Sequence, residues 1–282
     1  AMLIVDEKAS QMIIDLKKEA NATSSHGVIA IPLRYTFVTV IEMPQLSDSE
    51  LREAVQYEAR KYIPISLNDV VLDWWRIPDS GSVEGKAATV SILLAAVQRE
   101  VIEKYKRILT DASIEAAVFE IEIFSAARAV GSRVRSAYIL FDIGALSTKL
   151  AVIDQGIIRS VHHVDRASQA FSLAISQSLG IDFKRAEVMK REVGIVQRPE
   201  AAGIRHTITP LLDSIFDAAD RLRTNYRRKS GVAGDKAILL VGGSLMPGLV
   251  DYAIERLGRE VLLANPFAQL EYPAFLQQSL KS

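Results

Sequence analysis

The stretch "FDIGALSTKLAVID", Phe141 to Asp154, runs apolar into Asp142 and turns apolar again after Lys149, so it reads as strand, tight turn, strand. In such a turn Gly144 can take positive φ and let backbone N–H groups face an anion, while the Asp142 carboxylate can hold a hydrated metal ion. A purely structural hairpin would carry the same residues. One Asp-x-Gly alone does not separate the two readings.

Composition narrows the field. The chain has 282 residues, of which 49% are hydrophobic, enough for one large domain or two smaller ones with a real core. Lys plus Arg equals Asp plus Glu, 34 each, so no overall field draws the chain to nucleic acid or to an anionic membrane. With no cysteine, disulfides and thiolate chemistry are excluded, which fits a reducing compartment. The histidines, His26, His162, His163 and His206, have no metal-ligand spacing, and adjacent His162 and His163 in a strand point to opposite faces. The longest strongly apolar run, "AATVSILLAAV" from Ala87 to Val97, falls short of the ~20 residues that span a bilayer. A cytoplasmic protein is expected. Ala1 and Met2 read as a remnant of tag removal, so a fragment of a longer protein is expected.

Outward from the opening stretch, strands and helices alternate from end to end, the pattern of an α/β architecture. A helix near Glu7 to Ala20 is followed by two strands around Pro32 and Leu33. Ser47 with Glu50 three positions on is a capping-box pattern, and Leu51, Ala54, Val55, Glu58 and Tyr62 continue it at helical spacing until Pro64. A strand "VVLDWW", a Gly/Ser-rich turn "DSGSVEGK", the strand of Ala87 to Val97 and the amphipathic helix "REVIEKYKRILTDA" complete a compact unit. The expected organisation is a first lobe over 1–46, an inserted subdomain over 47–117, a return to the first lobe over 118–137, a second lobe over 138–258 and a closing segment over 259–282. In the second lobe, three strands form a meander, helices follow near 167–179 and 183–193, and a long helix "ITPLLDSIFDAADRLRTNYRRKSG" places acids before bases to suit its dipole. Its basic end, Arg223 to Lys229, reads as a solvated helix terminus because no aromatic interleaving or second patch supports nucleic-acid binding.

A second chemical feature is "AILLVGGSLMPGLVDYAIERLG", a strand running into Gly242, Gly243 and Ser244, with Pro247 opening a helix. Paired glycines at a strand end let the backbone approach a flat or anionic ligand, and the following helix N-terminus offers unpaired N–H groups. Many αβ units carry such a turn for packing alone. It also lacks the Gly-x-Gly-x-x-Gly of a dinucleotide fold.

Together the two turns follow the order of the actin, heat-shock chaperone and sugar-kinase superfamily. The chain resembles the PilM family of type IV pilus assembly along essentially its whole length, through "LSDSELREAVQYEARKYIPISLNDVVLDW", "FDIGALSTKLAVIDQGII", "NYRRKSG" and "LLVGGSLMPGLVDYAIERLGREVLLANPFAQLE". The resemblance implies a two-lobed, actin-like (ribonuclease H-like) α/β fold with an inserted small subdomain, and ATP with Mg as cofactors of the intact protein. It implies a second phosphate loop at Asp142 and Gly144, with Asp142 the metal residue and Ser147 and Thr148 giving hydroxyls near the phosphates. Gly242, Gly243 and Ser244 match the adenosine loop. Glu187 and Lys190 resemble a ribose-side pair, and a surface i,i+3 ion pair is the competing reading. Glu122 stands where relatives place the residue that orients attacking water, and a surface glutamate at a helix start is its alternative.

The departure is at the N-terminus. No Asp-x-Gly followed by Ser, Thr or Lys occurs before residue 40, so the first phosphate hairpin is expected to be missing, with self-association or a swapped homodimer as the consequence. The partner implied by the resemblance is the N-terminal segment of the inner-membrane protein PilN, docked beside the helix Ser47 to Ile63 and the strands near Val38 and Leu72. Glu53 or Glu58 would meet its basic residues. Other pilus inner-membrane and motor components follow, with the chain peripheral to the membrane through its partner. An active ATPase or kinase, an FtsA-like division protein and a type II secretion cytoplasmic component are the alternatives, and the weakly basic tail "EYPAFLQQSLKS" lowers the second.

Overall fold

The structure, a computed structural model, describes residues 6–77, 89–131, 134, 136–240, 242–267, 271, 273 and 275. The turn "DSGSVEGK", Val241 and most of the tail lie outside them. The chain divides into two compact units at Glu122/Ile123.

In the first unit, α1 (Asp6–Glu19) precedes β1 (His26–Ile31), β2 (Thr36–Pro44), α2 (Asp48–Ala59), β3 (Val70–Arg76), β4 (Thr89–Gln98), α3 (Arg99–Asp111) and β5 (Glu115–Ile121). The capping box forms as read: Ser47 Oγ accepts from Glu50 N, and the Glu50 carboxylate accepts from Ser47 N at 2.9 Å. Those bonds hold the Glu50 carboxyl below its usual range. Leu51, Val55 and Ala59 of α2 are buried on Ile41, Met43, Val90, Ile92 and Leu94 of an antiparallel sheet of order β2-β4-β3. Full burial of one such aliphatic side chain is worth about 2 kcal/mol. The layer under α2 takes in β2, which pairs with β4 along its whole length. In turn, β5 pairs in parallel with β1 as a separate two-stranded sheet.

The second unit holds the carboxyl part of α4 (Glu122–Gly131), then β6 (Tyr138–Ile143), β7 (Thr148–Asp154), β8 (Ile157–Val164), α5 (Ser168–Leu179), α6 (Phe183–Glu192), α7 (Ala202–Ser230), β9 (Lys236–Leu240), α8 (Leu249–Leu257) and β10 (Glu260–Leu263). The meander β6-β7-β8 is antiparallel, while β9 and β10 join β6 in parallel, giving the order β10-β9-β6-β7-β8. Every residue of β6 is buried, as expected of a central strand covered on both faces. Phe141 packs edge-on to Phe216 of α7, with ring centroids 5.7 Å apart. The helix α8 begins at Leu249, two residues later than read from Pro247, because Gly248 at φ 80 occupies its N-cap.

Candidate functional site

The carboxyl ends of the parallel strands β6 and β9 open onto a cleft of about 610 Å³ in the second unit, the usual place for a ligand in an open α/β sheet. The hairpin loop after β6 forms one wall, through Ile143, Gly144 and Ala145. The turn Gly242–Leu245 forms another, and the first turns of α5 and α6 close the remainder with Ser168, Gln169, Phe183, Glu187, Lys190 and Arg191.

Gly144 does not use the φ freedom open to a glycine. It is not among the positive-φ residues, and its N–H donates to the Ser147 carbonyl at 3.1 Å, closing the loop instead of facing an anion. Glycine also keeps the loop close: a Cβ would stand 3.0 Å from the Ser147 carbonyl and 3.2 Å from Lys149 Nζ, tighter than usual contacts. The N-terminal N–H groups of α5 are also engaged, Ser168 N donating to the Gly144 carbonyl and Gln169 N to that of Ala145. This pins the hairpin to α5.

The hydroxyls read as phosphate contacts sit elsewhere. Thr148 is fully buried and its Oγ1 donates to the Arg166 carbonyl at 2.7 Å, while Ser147 is buried and outside the cleft lining. Ser244 is buried too, with its Oγ donating to the Leu240 carbonyl at 2.8 Å. Glu122 belongs to the first unit, where its Oε1 accepts from Leu33 N at 2.9 Å. The carboxylate of Asp142, buried at the end of β6, lies 3.4 Å from Lys149 Nζ.

The two glycines of the second turn are not equivalent. A Cβ on Gly243 would stand 2.5 Å from the Ile143 carbonyl oxygen, so this glycine lets the turn lie on the end of β6. Gly242 is exposed in the cleft, with nothing within 4 Å of a Cβ. A packing role therefore accounts for the second and not for the first.

Glu187 and Lys190 are no surface pair. Lys190 is 4% exposed, and its Nζ donates to Glu187 Oε2 at 2.7 Å, Ser168 Oγ at 2.6 Å and Ser172 Oγ at 3.0 Å. Burial pushes the Lys190 ammonium below its usual range, against the pull of Glu187. Burial alone would raise the Glu187 carboxyl, yet hydrogen bonds from Lys190, Ser172 and Arg191 together bring it down to about 2. The result is a fixed ammonium and carboxylate on one wall of the cleft.

This arrangement of turns and sheet can be placed among known proteins. The family model described as Type IV pilus assembly protein PilM matches residues 5–281. The chain belongs to the PilM family. Its fold is that of a chain in the PilM-PilN type IV pilus biogenesis complex, at 25% identity and TM-score 0.81 over 96% of this chain and 79% of that chain. Two more distant structures share the actin-like fold. MreB5 of Spiroplasma citri bound to ADP is 15% identical with TM-score 0.57, over 98% of this chain and 76% of that one. The MamK double helical filament is 12% identical with TM-score 0.58, over 93% and 73%. A part in type IV pilus assembly follows for this PilM-family chain.

Of the residues read from the sequence, the structure brings Gly144, Glu187, Lys190, Gly242 and Gly243 to the cleft, with Asp142 behind Gly144. Ser168, Gln169, Phe183, Arg191 and Leu245 were missed. The Ser168/Ser172 spacing, one turn apart on α5, was the legible signal for part of that wall. A further device also escaped the reading: Gly194 at φ 60 and Gly248 at φ 80 lie so close that a Cβ on Gly194 would be 2.3 Å from the Pro247 carbonyl oxygen. Ile195 N donates to that same oxygen at 2.8 Å, clasping the end of α6 to the turn before α8. No helix among the described residues is long and apolar enough to cross a membrane.

Proposed function

We propose that this PilM-family chain is a scaffold that receives the N-terminal cytoplasmic segment of a PilN-like inner-membrane protein, and that its cleft holds a nucleotide. The observation that carries the first part is the whole-chain likeness to the PilM-PilN complex. On the surface of the first unit, Val71 and Trp75, on the face of the edge strand β3 turned away from α2, are 38% and 39% exposed, giving apolar footholds for a short peptide. Glu53 is exposed for a basic residue of that peptide, whereas Glu58 is engaged with Lys61 at 2.7 Å. Attachment to the inner membrane through the partner follows from this reading.

The cleft suits a nucleotide on its own geometry. Phe183 and Leu245, 40% and 48% exposed, offer apolar surface to a base, and Gly242 leaves the room a base or sugar needs. Glu187 and Lys190 form a closed ion pair on that wall, which shapes the cleft with a fixed pair of charges, the ammonium's three N–H groups being given to Glu187, Ser168 and Ser172. ATP bound there would supply a phosphoryl group; the chain's own contribution is binding and orientation.

Calorimetry with a synthetic PilN N-terminal peptide tests the scaffold. Binding is expected, with affinity lowered at least about tenfold by Trp75→Ala. No heat of binding to the intact chain would sink the reading.

A further inference from the structure

Asp142 and Lys149 are register partners across the β6–β7 hairpin, which places them side by side on one face of the sheet. Their side chains are 8% and 11% exposed, with Lys149 Nζ 3.4 Å from Asp142 Oδ2. The loop covers them: the Cβ position of Gly144 lies 3.2 Å from that ammonium, and Gly144 itself lines the cleft. A hydrated Mg2+ at Asp142 would need an octahedral shell of oxygens at about 2.1 Å, mostly waters. The ammonium takes up the Oδ2 side of that carboxylate, at 3.4 Å. A second cation so near would be repelled with little screening, and displacing Lys149 would strand a buried charge.

We propose that Lys149 is a resident counter-ion that takes the place of a divalent cation at the phosphate hairpin, so that anion binding in the cleft is indifferent to Mg2+. Lys149 neutralises Asp142 from beneath the loop, and Lys190 places a second ammonium among the residues that line the cleft. The class of ligand is a nucleoside di- or triphosphate bound without metal. The inference rests on the nucleotide reading above, and the experiment separates the two.

ADP and ATP are titrated calorimetrically into the full chain in Mg2+ and in EDTA. The two conditions should give dissociation constants within about twofold for the protein as it is, and Lys149→Met should become at least about tenfold weaker in EDTA than in Mg2+. A wild-type affinity that falls about tenfold or more in EDTA overturns the inference while leaving the nucleotide reading intact. Absence of binding in both conditions overturns the nucleotide reading instead. In that case Mn2+ alone, followed by electron paramagnetic resonance, decides the inference: no stoichiometric uptake by wild type, and uptake by Lys149→Met that Asp142→Asn abolishes, supports it. Uptake by wild type, or none by Lys149→Met, overturns it.

Discussion

At the scale of single residues, Gly242 and Gly243 separate what the fold needs from what a ligand needs. Gly243→Ala puts a methyl against the Ile143 carbonyl and should cost about 2 kcal/mol or more, since neither the strand end nor the turn can yield. Gly242→Ala meets open space, so its stability change should stay within about 0.5 kcal/mol. Its methyl would project into the cleft, and weaker ADP binding is expected. Thermal unfolding of the two variants checks the contrast, and equal destabilisation would mean that Gly242 is also a packing glycine. The pair is adjacent in sequence and looked equivalent there. Only the position of Ile143, about a hundred residues earlier, distinguishes them.

At the scale of elements, the wall formed by α5 and α6 depends on ionisation. Glu187 has its folded pKa lowered from 4.5 to about 2, so between those values the unfolded chain takes up the proton first. Its contribution to stability is fully present above about 4.5 and is lost as pH falls through about 2. Urea unfolding of the protein and of Glu187→Gln should therefore show a gap at neutral pH that narrows as pH falls towards about 3. A gap independent of pH would remove the network from the account. The acids of α7 illustrate the limit of reading one helix alone. Asp213, Asp217 and Asp220 are read as suiting its dipole, but α7 begins at Ala202 with no acid in its first turn, and these mid-helix acids instead fasten α8 and the turn into β10. Asp213 accepts from Tyr252 at 2.8 Å and Arg256 at 3.1 Å, Asp217 from Arg256, and Asp220 from Arg259 at 3.1 Å. Burial, then the bond to Asp213, pushes the Tyr252 hydroxyl up to about 12. Farther along α7, Tyr226 donates to the buried Asp154 carboxylate at 2.7 Å and fastens the helix to the end of β7.

At the scale of the whole molecule, the two units differ in how well their sheets are covered. The five-stranded sheet is packed under α5, α7 and α8, whereas β1 and β5 form a parallel pair among the described residues, with Val28 and Val118 facing each other in register at 66% and 52% exposure. Parallel strands are ordinarily buried in larger sheets. Self-association through this edge is the expected outcome, read as a mass that rises with concentration in light scattering. A constant monomeric mass across the micromolar range would rule it out.

The sequence by itself determined the α/β class, the capping box at Ser47, the meander after Asp142, the long helix ending at Gly231 and the family, because each is carried by short-range periodicity, turn residues or contiguous motifs. The tertiary structure decided which of those residues meet. It set Lys149 against Asp142, gathered Ser168, Ser172 and Glu187 around the Lys190 ammonium, drew Thr148 and Ser244 away from the cleft, and clasped Gly194 to Pro247. Side-chain direction in a strand follows from alternation, so the first of these was within reach of the hairpin's own register. The others depend on how helices pack over a sheet, a matter of long-range burial and steric fit that local pattern does not encode.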